Sequence, residues 1–243
     1  MRSIVFSGRC AKEILRDPLT LAFGLGFPVI LIVLLSAIQA NIPVPLFEIE
    51  TLAPGVAVFG LSFIGLFTAI LVSKDRGSAF VQRLFTTEMT ALDFLVGYVL
   101  PLLVISLGQT AFCFLFSTIF GLNLNTGTLL ALLFSLPTAL LFVAIGLLCG
   151  SLMNDKQVGG ICGALLTNLT AWLSGVWFDL DLVGGAFKGI AYALPFVHAV
   201  ELERAAVSGV FDGALANFLV VLGYSAVIFA ISVFVFIKKM RDV

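Results

Sequence analysis

The sequence predicts an all-α integral membrane protein of six transmembrane helices, with an amphipathic elbow helix before the first, a short cytoplasmic helix between the second and third, and an outer re-entrant hairpin between the fifth and sixth. Three observations carry this. Apolar residues are 60% of the 243-residue chain and charged ones 11%, with a mean hydropathy of +1.17, against about 45–50% and 25% in soluble domains. Six stretches reach the ~20 apolar residues that cross about 30 Å of hydrocarbon. Lysines and arginines are confined almost entirely to alternate connections between those stretches.

Residues 1–17 read as a helix lying on the membrane. At about 100° per residue, Arg2, Arg9, Lys12, Glu13 and Arg16 share one sector, and Phe6, Cys10, Ala11 and Ile14 fall outside it, with Val5 as the exception. An unstructured basic leader is the alternative. The same charges interrupt any apolar run that a cleavable signal needs, so the first span is expected to stay in the mature protein. Asp17-Pro18 reads as an N-cap followed by proline at the first helical position. The spans are predicted at 19–38, 52–73, 94–120, 128–152, 158–178 and 218–237, within one domain covering 1–243. Their cores hold no Asp, Glu, Lys, Arg or His. A mid-membrane charge costs about 2.5–3.5 kcal/mol and marks ion relays where it is tolerated, so its absence argues against a proton- or ion-coupled carrier.

Arg2, Arg9, Lys12, Arg16, Lys74, Arg76, Arg83, Lys156, Lys238, Lys239 and Arg241 fall on one side of the threaded chain, and only Lys188 and Arg204 on the other. The positive-inside rule puts both termini in the cytoplasm of a bacterial-type plasma membrane. A net charge of −1 offers nothing to nucleic acid. Cys10, Cys113, Cys149 and Cys162 stand singly beside one histidine, which predicts neither disulfide nor metal. The chain has no G-x-x-x-x-G-K-[ST] loop and no nucleophile beside a base, so neither a bound cofactor nor intrinsic enzymatic activity is expected.

Two connections say more. In 74–93, Phe80, Val81, Leu84 and Phe85 recur at helical spacing, giving an apolar ridge that fits a partner's groove or rests on headgroups. Thr90-x-x-Asp93 then reads as a capping box for span three. The segment 179–217 is too long for a hairpin loop. Its apolar run 186–200, broken at Pro195, is too short to span but long enough to enter the membrane and return. Within it His198, Glu201, Glu203 and Arg204 form either a solvated rim of weak pairs or a proton-sensitive gate. Among the few polar residues inside spans three and five, Gln109, Thr167, Asn168 and Thr170 are placed for helix-to-helix hydrogen bonds or for a pathway. Gly146-x-x-x-Gly150 and Gly159-x-x-x-Gly163 permit close helix approach, and Trp172 and Trp177 are positioned as interfacial anchors.

Arg76-Gly77, Arg83-Leu84, Thr86-Thr87-x-Met89-x-Ala91-x-Asp93-Phe94, Gly97 and Pro101 closely resemble the loop of ABC-2 type exporter permeases. Gly175-Val-Trp-Phe178, Ile190-Ala-Tyr-Ala-Leu-Pro195, His198-Ala199 and Arg204 resemble that family's re-entrant pair of short helices. The sequence departs from the commoner pattern at Glu88, where a proline often stands. The resemblance implies that 74–93 is a coupling helix, with Phe80, Arg83, Leu84, Thr86 and Thr87 docking on a separate ABC ATPase subunit that holds ATP and magnesium. It implies pairing with a second permease copy or a paralogue, and a seam that includes spans two and five. Asn168, with Thr167 and Gln109, is the pathway candidate, and Pro195, His198, Glu201 and Arg204 form an upper gate. The expected cargo is an amphipathic drug, antibiotic, peptide or lipid, closest to multidrug or antibiotic export. A secondary carrier or channel, and a non-transporting assembly or immunity component, are the rival readings.

Overall fold

The computed structural model describes residues 2–78 and 89–241, the last two by their backbone alone, and every regular element among them is a helix. Helix α1, Arg2–Arg16, buries Phe6, Ser7, Cys10 and Ile14 along one stripe. Asp17 ends it and starts α2, Pro18–Gln39, accepting from Thr20 N at 3.2 Å and Thr20 Oγ1 at 2.6 Å. Pro18 follows in the first turn, where its missing N–H costs nothing. A wide π turn at Ala22–Gly26 lies just before Pro28, relieving the clash a proline ring makes with the carbonyl four residues earlier.

The long helices that follow are α3 (Ile49–Gly77), α4 (Ala91–Phe120) and α5 (Thr126–Leu152). The capping box read at Thr90 is formed: its Oγ1 accepts from Asp93 N at 3.3 Å, and the Asp93 carboxylate accepts from Thr90 N at 2.9 Å. After α5 come α6 (155–173), α7 (Leu180–Val183), α8 (Gly185–Tyr192), α9 (Pro195–Ser208) and α10 (Ala214–Arg241).

Helix α3 is the hub of the bundle, with 89% of its most apolar window buried, against 17% for α2 and 22% for α10. It meets α5 almost backbone to backbone. A Cβ added at Gly146 would stand 2.3 Å from the Gly65 carbonyl oxygen, and one at Gly150 would stand 2.7 Å from that of Ala69. Among the described glycines, the first pair singled out in the sequence therefore makes the closest approach to another helix's main chain, while a Cβ at Gly159 meets nothing within 4 Å. On the other side of α5, Ser232 of α10 donates to the Ala144 carbonyl at 2.7 Å.

Five helices, Pro18–Gln39, Ile49–Gly77, Ala91–Phe120, Thr126–Leu152 and Ala214–Lys239, are long and apolar enough to cross a membrane. The chain is a multi-pass membrane protein. The span expected at 158–178 is not among the five. Helix α6 opens on Asp155-Lys156-Gln157 and stops at Leu173, leaving 158–173, about 24 Å of helix at a rise of ~1.5 Å per residue. Gly175, at φ +70°, breaks it, and Trp177 folds edge-on against Phe59 of α3 with ring centroids 5.4 Å apart. Nevertheless α6 and the residues just after it run along most of α3. Asp155 accepts from Ser73 near one end, and Val176 lies 3.2 Å from the position of a Cβ on Gly55 near the other.

The segment 179–217 forms α7, α8 and α9 rather than a loop. Its last helix is a structural wedge: Phe196, Ala199, Val200, Leu202 and Ala206 are buried among α3, α5 and α10, and Phe196 stacks on Phe142 at 5.8 Å.

Candidate functional site

Two polar clusters stand at opposite ends of the bundle. The first joins the elbow α1 to the ends of α3 and α4. Asp75, one turn from the end of α3, is 2% exposed. Arg9 grips both of its carboxylate oxygens, one at 2.7 Å, and also reaches Glu13 at 2.7 Å. Tyr98 of α4 donates its hydroxyl to the same carboxylate at 2.9 Å. The bond to Asp75 raises the Arg9 guanidinium above its ordinary value. Around this pair Phe6 packs edge-on to Phe94 and Tyr98, both at 5.1 Å. The contact exists because residue 97 is glycine, where a Cβ would stand 2.3 Å from the Phe6 ring. Ser3 adds a 2.6 Å bond to Asp93.

This clamp holds both flanks of the segment on which the resemblance placed partner docking. Phe80, Arg83, Leu84, Thr86 and Thr87 themselves lie outside the described residues. Asp75 and Tyr98 were missed by sequence reasoning. The available signal was Asp75 itself, an acid set among Lys74 and Arg76 at the close of an apolar run. Arg9 shares a sector with the other charged residues of the elbow, yet it turns inward because Asp75 is there to receive it.

At the other end, Pro195 opens α9, and the next residues form a ring of hydrogen bonds. Glu201 accepts from Tyr192 Oη at 2.5 Å and from Asn217 Nδ2 at 3.1 Å. His198 places Nδ1 2.7 Å from Asn217 Oδ1 and Nε2 3.0 Å from the Tyr192 carbonyl. Both ring nitrogens thus face oxygens, and a neutral imidazole satisfies only one of them. The three-residue spacing that suggested direct His198–Glu201 and Glu201–Arg204 pairs is used differently. Asn217 bridges the first two, and Arg204 turns to α3, donating Nε to the Thr51 carbonyl at 3.0 Å.

Glu203 faces the other way, fully buried with neither carboxylate oxygen hydrogen-bonded. Burial pushes its carboxyl well above the ordinary 4.5, so it is the neutral acid. Above about pH 4.5 the unfolded chain releases this proton while the folded chain keeps it, so stability falls as pH rises. Glu203→Gln removes that slope. Melting curves across pH check this: the variant gains on the wild type as pH increases, and parallel curves refute the assignment.

The sequence profile of the ABC-2 type transporter family matches residues 4–208, from α1 to the end of α9. The chain belongs to that family. A search of curated proteins finds no match. An ABC-2 permease is a membrane transport component rather than a catalyst, and it works in association with an ABC ATPase subunit.

The polar span residues of this permease do not converge on one lining. Gln109 of α4 is buried against α3, its Nε2 directed at the Ala57 carbonyl at 3.4 Å. Thr167 and Thr170 bond carbonyls of their own helix, Gly163 at 2.6 Å and Leu166 at 2.9 Å, rather than bridging helices. Asn168 sits on an exposed stripe of α6 with Leu165, Leu169 and Trp172.

Proposed function

We propose that this ABC-2 permease exports an amphipathic molecule, driven by ATP hydrolysis on a separate subunit that docks at the elbow end. The observation that carries the reading is the Arg9–Asp75–Tyr98 clamp, which makes the elbow, the end of α3 and the start of α4 one mechanical unit at the two ends of 74–93. A push on that connection reaches two long helices at once. The basic residues collect at this same end, which supports the reading that it faces the cytoplasm of a bacterial-type plasma membrane. Helix α6, extended by 174–178, is the sixth crossing and returns the chain so that both termini share that side.

In the working assembly two permeases pair, and the exposed stripe carrying Asn168 and Trp172 faces the seam between them. ATP binding, with magnesium on the ATPase, draws the ATPase subunits together. The connection around Phe80 to Thr87 passes the movement on, and the hairpin of α8 and α9 acts as the upper gate through Pro195, His198, Glu201 and Arg204. The cargo class is drug, antibiotic, peptide or lipid. One observation favours a rival, proton-coupled transport: the buried neutral Glu203. That reading predicts transport surviving ATP depletion.

The deciding experiment reconstitutes the permease and its ATPase in liposomes and compares wild type with Leu84→Asp. The wild type is expected to change the rate of ATP hydrolysis, and the variant to abolish that change while inserting normally. A wild-type permease that leaves the rate untouched removes the ATP-driven reading.

A further inference from the structure

Between the hydrogen-bonded ring and α3 lies a pocket of about 500 Å³, within the usual range for small-molecule sites. Its polar groups are unevenly spent. Lys188, the other cation of this end, is paired with Asp181. Arg204 makes no ion pair among the described residues, and its one hydrogen bond there uses Nε, leaving both terminal nitrogens of a half-buried guanidinium open. Ser174 lines the same pocket. It is fully buried, and its hydroxyl has no hydrogen-bond partner. A buried hydroxyl without a partner is a cost that a bound group removes.

The remaining lining sets the ligand's character. Phe178 and Val197 provide apolar walls. Two carboxylates also face the space, Asp179 and Glu201. The first holds the start of α7 through Asp181 N at 2.9 Å, and both oxygens of the second are taken by Tyr192 and Asn217. Neither is salt-bridged to Arg204 among the described residues, and through space both weaken an anion's hold there and oppose a second negative charge.

We propose that this pocket binds a monoanionic amphiphile, its carboxylate or phosphodiester held by the Arg204 fork and the Ser174 hydroxyl, its apolar body against Phe178 and Val197. The inference concerns this chain alone and stands apart from ATP coupling, so it is tested without the ATPase. Two sources share the chemistry: a soluble carboxylate, or the phosphodiester of a membrane lipid.

The test is calorimetric titration of the purified, delipidated permease in a neutral maltoside detergent with phenylbutyrate, and with phenylbutylamine as its charge-reversed counterpart. Phenylbutyrate is expected to bind and the amine not. Arg204→Gln lowers the affinity about tenfold or more, Arg204→Lys retains part of it, and Ser174→Ala costs a few-fold. Asp179→Asn keeps the helix cap and tightens binding. Should Arg204→Gln fail to fold, Asp179→Asn decides, since unchanged or weaker binding there overturns the site. Equal binding of the amine, or wild-type affinity in a normally folded Arg204→Gln, overturns it as well. Added phosphatidylcholine separates the sources. Displacement of phenylbutyrate identifies the lipid phosphodiester, and undiminished binding identifies a soluble amphiphile.

Discussion

Gly146→Leu is expected to abolish recovery of folded permease. The added Cβ would stand 2.3 Å from the Gly65 carbonyl oxygen and 2.6 Å from Thr68 Cβ, and neither can swing aside as a flexible side-chain tip does. Relief requires α3 and α5 to separate, which dismantles the centre of the bundle. Between helices in lipid, van der Waals packing replaces the hydrophobic drive available in water, so close contact carries a large share of the association. Overpacking a soluble core costs about 1–3 kcal/mol when side chains can adjust, and here they cannot. Size-exclusion chromatography in detergent reads the result, with Gly159→Leu as the control. The Cβ at 159 meets nothing within 4 Å, so that variant should elute as wild type. Equal recovery of both would show that the α3–α5 contact is not the determinant.

Arg9→Ala should destabilise the permease by about 3 kcal/mol, the lower part of the range for breaking a buried pair from one side, because Arg9 keeps 32% of its side-chain exposure. The cost lies chiefly in Asp75, left buried with Tyr98 as its remaining partner described here. Arg9→Ala combined with Asp75→Ala should recover part of the loss, since neither charge is then stranded. Tyr98→Phe removes one hydrogen bond, worth about 1 kcal/mol. Thermal melts of wild type, Arg9→Ala, Asp75→Ala and the double variant give the cycle. An Arg9→Ala melt indistinguishable from wild type would mean the clamp contributes no stability.

The comparison of sequence with structure is sharpest at α3 and α10. Both are apolar along their length, yet one is the buried hub and the other is largely bare. In a soluble protein, polarity marks the outer face; in lipid the outside is as apolar as the core, and that mark is missing. Local chemistry was legible because it depends only on neighbours in the chain. The Asp17 cap and the Thr90–Asp93 box both appear as read. Contacts at long sequence separation were not legible. Nothing near Arg9 announces Asp75, and nothing distinguishes Gly146 from Gly159 until α3 is seen lying against one of them. The fifth predicted helix ends at Leu173 rather than Phe178, where glycine at 175 and the aromatic contact of Trp177 outweigh an apolar composition that continues.

The meeting of α3 and α5 through Gly65, Gly146 and Gly150 has a mechanical side. Side chains that interdigitate have alternative rotamers, and a seam made of them can reshuffle by small steps. A seam of main chain on main chain has no such repertoire: it holds, or it parts. The two helices therefore travel as a single plank, and any working stroke of the molecule has to be taken up elsewhere in the bundle.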